Sequence, residues 1–105
     1  MKQRFEWDEA KNQSNLRKHG VTFEDASYVF EDPYFFSVQD RFVNGEERWQ
    51  TFGMINNFLV LIIAHTALER LENGELIEVI RIISARQATK HERRNYEDEI
   101  RKLYS

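Results

Sequence analysis

Residues 34–87 read YFFSVQDRFVNGEERWQTFGMINNFLVLIIAHTALERLENGELIEVIRIISARQ, and three interruptions in this stretch decide the fold. Asn44-Gly45, Asn56-Asn57 and Asn73-Gly74 separate runs rich in β-branched and aromatic residues. Asn and Gly tolerate the positive φ angles of two-residue hairpin loops, so each pair predicts a hairpin. The product is a four-stranded antiparallel meander. Its strands run at about Tyr34–Val43, Glu46–Ile55, Phe58–Ala67 with a ragged extension, and Glu75–Gln87.

Helical signals flank the meander. Asp8 caps a helix from about Glu9 to Lys18, with Ala10 and Leu16 facing the core and Gly20 closing it in a left-handed conformation. Thr22-x-x-Asp25 opens a second, short helix with Phe23, Ala26, Val29 and Phe30 on its apolar face, and Asp32-Pro33 stops it. Thr89-x-x-Glu92 is a capping box for a last helix to about Leu103. The expected class is α+β: two N-terminal helices, the meander and one C-terminal helix. The 105 residues make one domain, 1–105.

Composition narrows the chemistry. The chain has no cysteine, which excludes disulfides, zinc-thiolate sites and thiol catalysis. Its longest apolar run, Phe58–Ala64, is far too short to cross a bilayer, and no signal-peptide pattern precedes it, so a cytoplasmic location without membrane contact is expected. His19, His65 and His91 show no metal-ligand spacing, so neither a metal nor a cofactor is expected. Phosphate-binding glycine loops, nucleophile elbows and dinucleotide fingerprints are absent as well. The net charge of −3 is uneven: +2 over residues 1–20, −8 over 21–78 and +3 over 79–105. If the two ends meet, an acidic chain can carry a local basic surface suited to phosphate.

With two-residue loops throughout, register follows from arithmetic: paired residue numbers sum to 89, 113 and 147 in the three hairpins. One face then carries Phe36, Val38, Trp49, Val60, Ile62, Ala64, Ile83 and Ala85, apolar enough to lie under helices. The other aligns Arg41, Arg48 and His65 in one row, with Gln39, Gln50, Ser84 and then Arg86 beyond. A histidine beside two arginines protonates less readily and suits a general base. Arg81 falls on the apolar face near Thr66 and Glu47, as a structural ion pair. A bulge between Ala67 and Arg81 would return it to the polar face beside His65.

Other cationic residues cluster at helix ends. Lys18 and His19 end the first helix, where the dipole favours them, and they are also placed for phosphate contact. Arg86, Lys90, Arg93 and Arg94 surround the start of the last helix, and Tyr96 lies one turn from Glu92 and Arg93. The ordinary reading of such residues is a solvated helix face and a core tyrosine.

Three segments, FEWDEAKNQSNLRKHGVTFEDA from Phe5, GEERWQTFG from Gly45 and RIISARQATKHERRNY from Arg81, together resemble the BrnT family of toxins from bacterial type II toxin-antitoxin systems. The resemblance spans nearly the whole chain in order. It implies a RelE-like ribonuclease fold, metal-independent RNA cleavage that inhibits translation, and neutralisation by a BrnA-type antitoxin. That antitoxin carries a ribbon-helix-helix domain, so operator DNA would be met only through it, in a heterotetramer of two toxins and two antitoxins.

Such cleavage needs a base for the ribose 2′-OH, cations for the phosphate and an acid for the leaving oxygen. His65, Arg48, Arg81, Arg86 and Tyr96 are the catalytic candidates, and Lys18, His19, Arg41 and Arg93 the RNA-binding ones. Motif position within the resemblance implies Lys18, His19, Arg81, Arg86, Arg93 and Tyr96, whereas Arg48 and His65 rest chiefly on the register. Two other readings compete: a noncatalytic antitoxin-binding protein acting in operon autoregulation, and direct DNA binding through the last helix, which the acidic balance disfavours.

Overall fold

A computed structural model of the chain describes residues 2–104. Its elements are β1 (Lys2–Glu6), α1 (Glu9–His19), α2 (Phe23–Ser27) with a 3₁₀ turn at Tyr28–Glu31, β2 (Phe36–Val43), β3 (Glu46–Ile55), β4 (Leu59–Glu72), β5 (Glu75–Gln87) and α3 (Lys90–Leu103). The helix starts form as the sequence predicts. Asp8 accepts the Lys11 N–H, Thr22 the Asp25 N–H, and Thr89 with Glu92 closes a reciprocal capping box. Asn44, Asn56, Asn57 and Asn73 all take positive φ, as hairpin loops require.

The sheet corrects the expected meander: it has five strands in the order β1-β5-β4-β3-β2, and β1 pairs in parallel with β5. Lys2–Glu6 carries no turn or cap that marks it as a strand, and its pairing to Ile77–Arg81 is purely long-range. The hairpin registers also shift. Asn56, Asn57 and Phe58 make a three-residue loop, so β3 and β4 pair as Trp49 with His65 and Ile55 with Leu59, one residue from the expected 113.

Bulges interrupt the other two hairpins. The sum of 89 holds only for Phe42–Glu47 and Val43–Glu46, and an irregularity between Gln39 and Phe42 gives 88 beyond it. Between β4 and β5, 147 holds from His65–Ile82 to Glu72–Glu75, and 148 from Ala64–Ser84 to Leu61–Gln87. Ile83 is the extra residue. A bulge inverts the alternation of faces along its strand, so the two faces derived by arithmetic are each a mixture of the true ones.

One true face is the core face. Leu61, Ile63, Ile80, Ile82 and Ala85 pack there against Val21, Phe23, Ala26 and Val29 from the α1–α2 region, with Phe5, Trp7 and Phe30 at the margin. Gly53 allows this approach: a Cβ there would lie 2.5 Å from Val29 Cγ1 and 3.0 Å from the Val29 carbonyl. The other face meets α3 only toward one end, where Tyr96 stacks on Phe36, which in turn stacks on Phe52 at 4.9 Å between ring centroids.

α1 docks through amides rather than through the expected Ala10 and Leu16. Leu16 is 40% exposed, whereas Asn15 is 6% exposed. The Asn15 side chain donates to the Ala85 and Val21 carbonyls at 2.7 and 2.9 Å and accepts the Ala85 N–H at 3.1 Å. It thereby replaces the strand partner that β5 lacks beyond the end of β1. Asn12 accepts the Phe23 N–H at 2.8 Å and ties α1 to α2. Asn15→Ala should leave three backbone groups unmatched and cost about 2 kcal/mol in all, since each buried unsatisfied group costs roughly 1–3 before water relieves part of it. A fall in melting temperature of about 10 °C is expected on the roughly 4–8 °C per kcal/mol of a chain this size, and an unchanged melting curve would refute the docking role.

Candidate functional site

The Ile83 bulge determines the candidate site. Arg81 and Arg86 differ in parity and would point to opposite faces of a regular strand; the extra residue puts both on the face opposite the helical core. Arg4 and Arg70 share this face by alternation, and Arg48 stands across Thr66 from Arg81 when the β3–β4 register is extended by one pair. Five arginines thus line one surface.

Four of them are matched by carboxylates. Arg4 forms a fork with Glu72 at 2.6 and 2.6 Å, and Arg70 lies 3.5 and 3.7 Å from Glu6 and Glu72. Arg81 Nη2 donates to Glu46 Oε1 at 2.8 Å, which corrects the expected pairing near Glu47 by one residue and one face. Arg86 donates through both Nη atoms to Glu92 at 2.8 Å. These hydrogen bonds, helped by the Thr89 backbone N–H, hold the Glu92 carboxyl down to about 2.

Arg48 differs: among the described residues it has no hydrogen-bond or ion-pair partner, and its Nε is buried and unsatisfied. Thr66, between Arg48 and Arg81, is only 4% exposed although no helix stands over it. The two arginine stems provide the cover, as long cationic side chains do over apolar surface.

His65 is not in this row. It lies on the core face, 4% exposed, with its ring edge-on to Phe30 at 5.2 Å. Its Nε2 is 2.6 Å from Thr51 Oγ1, itself 2.7 Å from Ser37 Oγ, and its Nδ1 is 3.3 Å from the Thr66 carbonyl. With Nδ1 donating to the carbonyl, Nε2 accepts from Thr51 and the hydroxyl chain is satisfied throughout. Burial pushes the His65 pKa down, against smaller upward pulls from the Thr66 carbonyl and Glu78.

Tyr96, 1% exposed, donates its hydroxyl to Asp32, whose same carboxylate oxygen accepts the Met54 N–H at 2.7 Å. Burial first and then the Asp32 bond raise its pKa, so the phenol stays protonated. Asp32, legible in the sequence only as a helix stop, is therefore the anchor of α3.

The remaining candidates lie apart from the Arg48–Arg81 row. Lys18 and His19 are exposed at the end of α1, on the helical side of the sheet. Arg41 is exposed in the bulge of the edge strand β2. Arg93 on α3 donates to the Phe58 carbonyl and lies 4.0 Å from Glu97. Arg86 is four paired rows from Arg81, about 13 Å along the strand at ~3.4 Å per residue. Sequence reasoning missed Glu46 as a member of this surface; it set Thr66 beside Arg81 correctly but on the wrong face. Glu46 and Arg48 share strand parity directly after the Asn44-Gly45 turn, which was the available signal.

Two clefts lie elsewhere. One of about 680 Å³ is lined by Asp25, Glu31, Asp32 and Tyr96 among others, and one of about 400 Å³ by Glu47, Glu69, Glu78, Trp49 and His65 among others. Carboxylates dominate the charge of both, which disfavours a phosphate ligand. Among the described residues no group of three or more His, Asp and Glu side chains has metal-binding geometry, and no helix is long and apolar enough to cross a membrane.

Residues 7–92 match the family model described as the ribonuclease toxin BrnT of type II toxin-antitoxin systems. The chain belongs to the BrnT family. Membership carries the description of a ribonuclease toxin and implies an antitoxin partner. The fold is similar to the crystal structure of the Brucella abortus ribonuclease toxin BrnT, with a TM-score of 0.55 and 21% identity over 86% of this chain and 100% of that one. No curated protein matches the chain.

Two titrations follow from the geometry. The unfolded chain protonates Glu92 near the ordinary value of about 4.3 and the folded one near 2, so its stabilisation is complete above the first value and is lost as pH falls through the second. Glu92→Gln should melt below wild type at pH 7, with the difference closing toward pH 2; a constant difference would contradict the Arg86 pairing. For His65 the folded ring stays neutral while the unfolded one takes up a proton below about 6.5, so stability declines as pH falls below that value. Denaturant titrations should show this decline in wild type and a shallower one in His65→Gln.

Proposed function

We propose that this chain is a ribonuclease toxin that cleaves RNA without a metal ion and slows translation, holding the scissile phosphate between Arg48 and Arg81 on the arginine face. Arg48 carries the reading. An unpaired guanidinium among paired ones is where a phosphate gains most, because it displaces no carboxylate there. A guanidinium fork also matches phosphate oxygens and stays charged through the reaction.

Arg86, oriented by Glu92, then meets a neighbouring phosphate of the same RNA strand. Arg93, Arg41, Lys18 and His19 steer the polyanion from the flanks, a screened and salt-sensitive contribution. Burial and committed hydrogen bonds favour a structural part for His65 and Tyr96: the first supports the core beneath the sheet, the second holds α3 to Asp32.

Family membership supports the wider setting. In this reading the 105 residues act as one cytoplasmic toxin domain. A BrnA-type ribbon-helix-helix antitoxin neutralises it in a complex of two toxins and two antitoxins and brings the pair to operator DNA. Acidic antitoxin residues covering Arg48 and Arg86 would account for neutralisation by the same charge pairing that RNA exploits.

The test is cleavage of total RNA in EDTA by the purified toxin, with end analysis of the products. Cleavage with 2′,3′-cyclic phosphate ends is expected. Arg48→Ala should slow it by about 10²–10³-fold, the usual loss on removing one donor to developing charge. Its melting temperature should change little, because removing a buried unsatisfied donor offsets the lost cover of the stem over Thr66. Intact RNA both in buffer and in a translating extract would overturn the reading.

A further inference from the structure

We infer that Glu46 is the general base that takes the ribose 2′-OH proton, an assignment that rests on the ribonuclease reading and adds its missing proton acceptor. Attack on the phosphate needs an acceptor within hydrogen-bond reach of the ribose while the arginines hold the phosphate. His65 lies on the opposite face and the Tyr96 hydroxyl is committed to Asp32. On the arginine face, Thr66, Ser84 and Gln50 offer neutral hydroxyl and amide groups, which are poor proton acceptors.

Five carboxylates remain: Glu6, Glu46, Glu72, Glu75 and Glu92. Glu72 forks Arg4 at the β4–β5 hairpin, beside Glu75. Glu6 pairs with Arg81 across β1 and β5, but it stands three strands from Arg48 in the sheet order, and its carboxylate is drawn to Arg4 and Arg70 at 3.6 and 3.5 Å. Glu92 accepts both Arg86 nitrogens and the Thr89 N–H, which leaves it a weak base, and it sits at the far row. Glu46 is bound by Arg81 through Oε1 alone, at 2.8 Å. It is also two residues from Arg48 on the same side of β3, about 7 Å along the strand. Arg81 thus touches the base while retaining N–H groups for the phosphate, and so fixes one relative to the other.

The step balances as a transesterification. Glu46 accepts the 2′-OH proton, the 2′ oxygen bonds to phosphorus, and the P–O5′ bond breaks with its electron pair passing to the 5′ oxygen. That oxygen takes a proton from water. The products are a 2′,3′-cyclic phosphate and a 5′-hydroxyl, and Arg48 and Arg81 stay charged against the non-bridging oxygens.

Glu46→Gln separates this role from orientation of Arg81, since the Gln carbonyl still accepts the Arg81 N–H but cannot take a proton. Single-turnover cleavage and RNA affinity are measured for both proteins across pH, on total RNA in EDTA or in translating extract, whichever wild type cleaves. The expected result is a rate loss of about 10²–10⁴-fold with affinity unchanged and the acid limb of the pH profile abolished. A loss under about tenfold with the wild-type pH profile, or a loss that affinity alone explains, overturns the assignment and leaves the ribonuclease reading standing. Wild type inactive in both settings overturns both.

Discussion

One extra residue in one strand organises this molecule. The bulge at Ile83 lets Ile80, Ile82 and Ala85 all reach the helical core while Arg81, Ser84 and Arg86 all reach the opposite face. A regular strand would have divided the arginines between core and solvent. Burying a guanidinium among Phe23, Val29 and Leu61 would cost several kcal/mol after any relaxation, so the apolar contacts on one face and the solvation of arginine on the other select the same bulge. The arginine surface is thus a consequence of core packing.

The sheet then separates two chemistries. The α1–α2 region, its apolar partners and the satisfied Ser37–Thr51–His65 chain occupy one side. The other is covered by α3 only at its Phe36–Phe52 end and carries charge elsewhere, so its arginines are arranged by carboxylates in the same sheet and at the start of α3. Those ion pairs are half-exposed and add little stability. Their effect is geometric, since each holds a long side chain in one orientation, and Arg48 alone among the five arginines lacks that restraint. In the proposed reading, preoriented guanidinium groups lower the ordering cost of meeting a polyanion.

Polar docking is a second theme. Asn12 and Asn15 replace apolar contacts under α1, and Asp32 gathers the Tyr96 hydroxyl and the Met54 N–H under α3. Buried amides and carboxylates of this kind are costly when unmatched and directional when matched. They set where each helix sits more sharply than a greasy face does, and they explain how a helix as polar as α1 packs at all.

Much of this architecture was legible in the sequence. Asn44-Gly45, Asn73-Gly74, the Asp8, Thr22 and Thr89 caps and Gly20 act through their own backbone conformations or neighbours within a few residues, so they announce the helices and hairpins directly. The motif that places Arg86 beside the Thr89 cap was readable for the same reason. The parallel strand Lys2–Glu6, the third loop residue Phe58 and the bulges at Asp40–Arg41 and Ile83 were not. Each is selected by contacts between distant segments, and each costs so little locally that no residue type marks it. Because side chains alternate with a period of two, those small insertions decided which face His65, Arg48 and Arg81 occupy, and only the packed sheet could decide it.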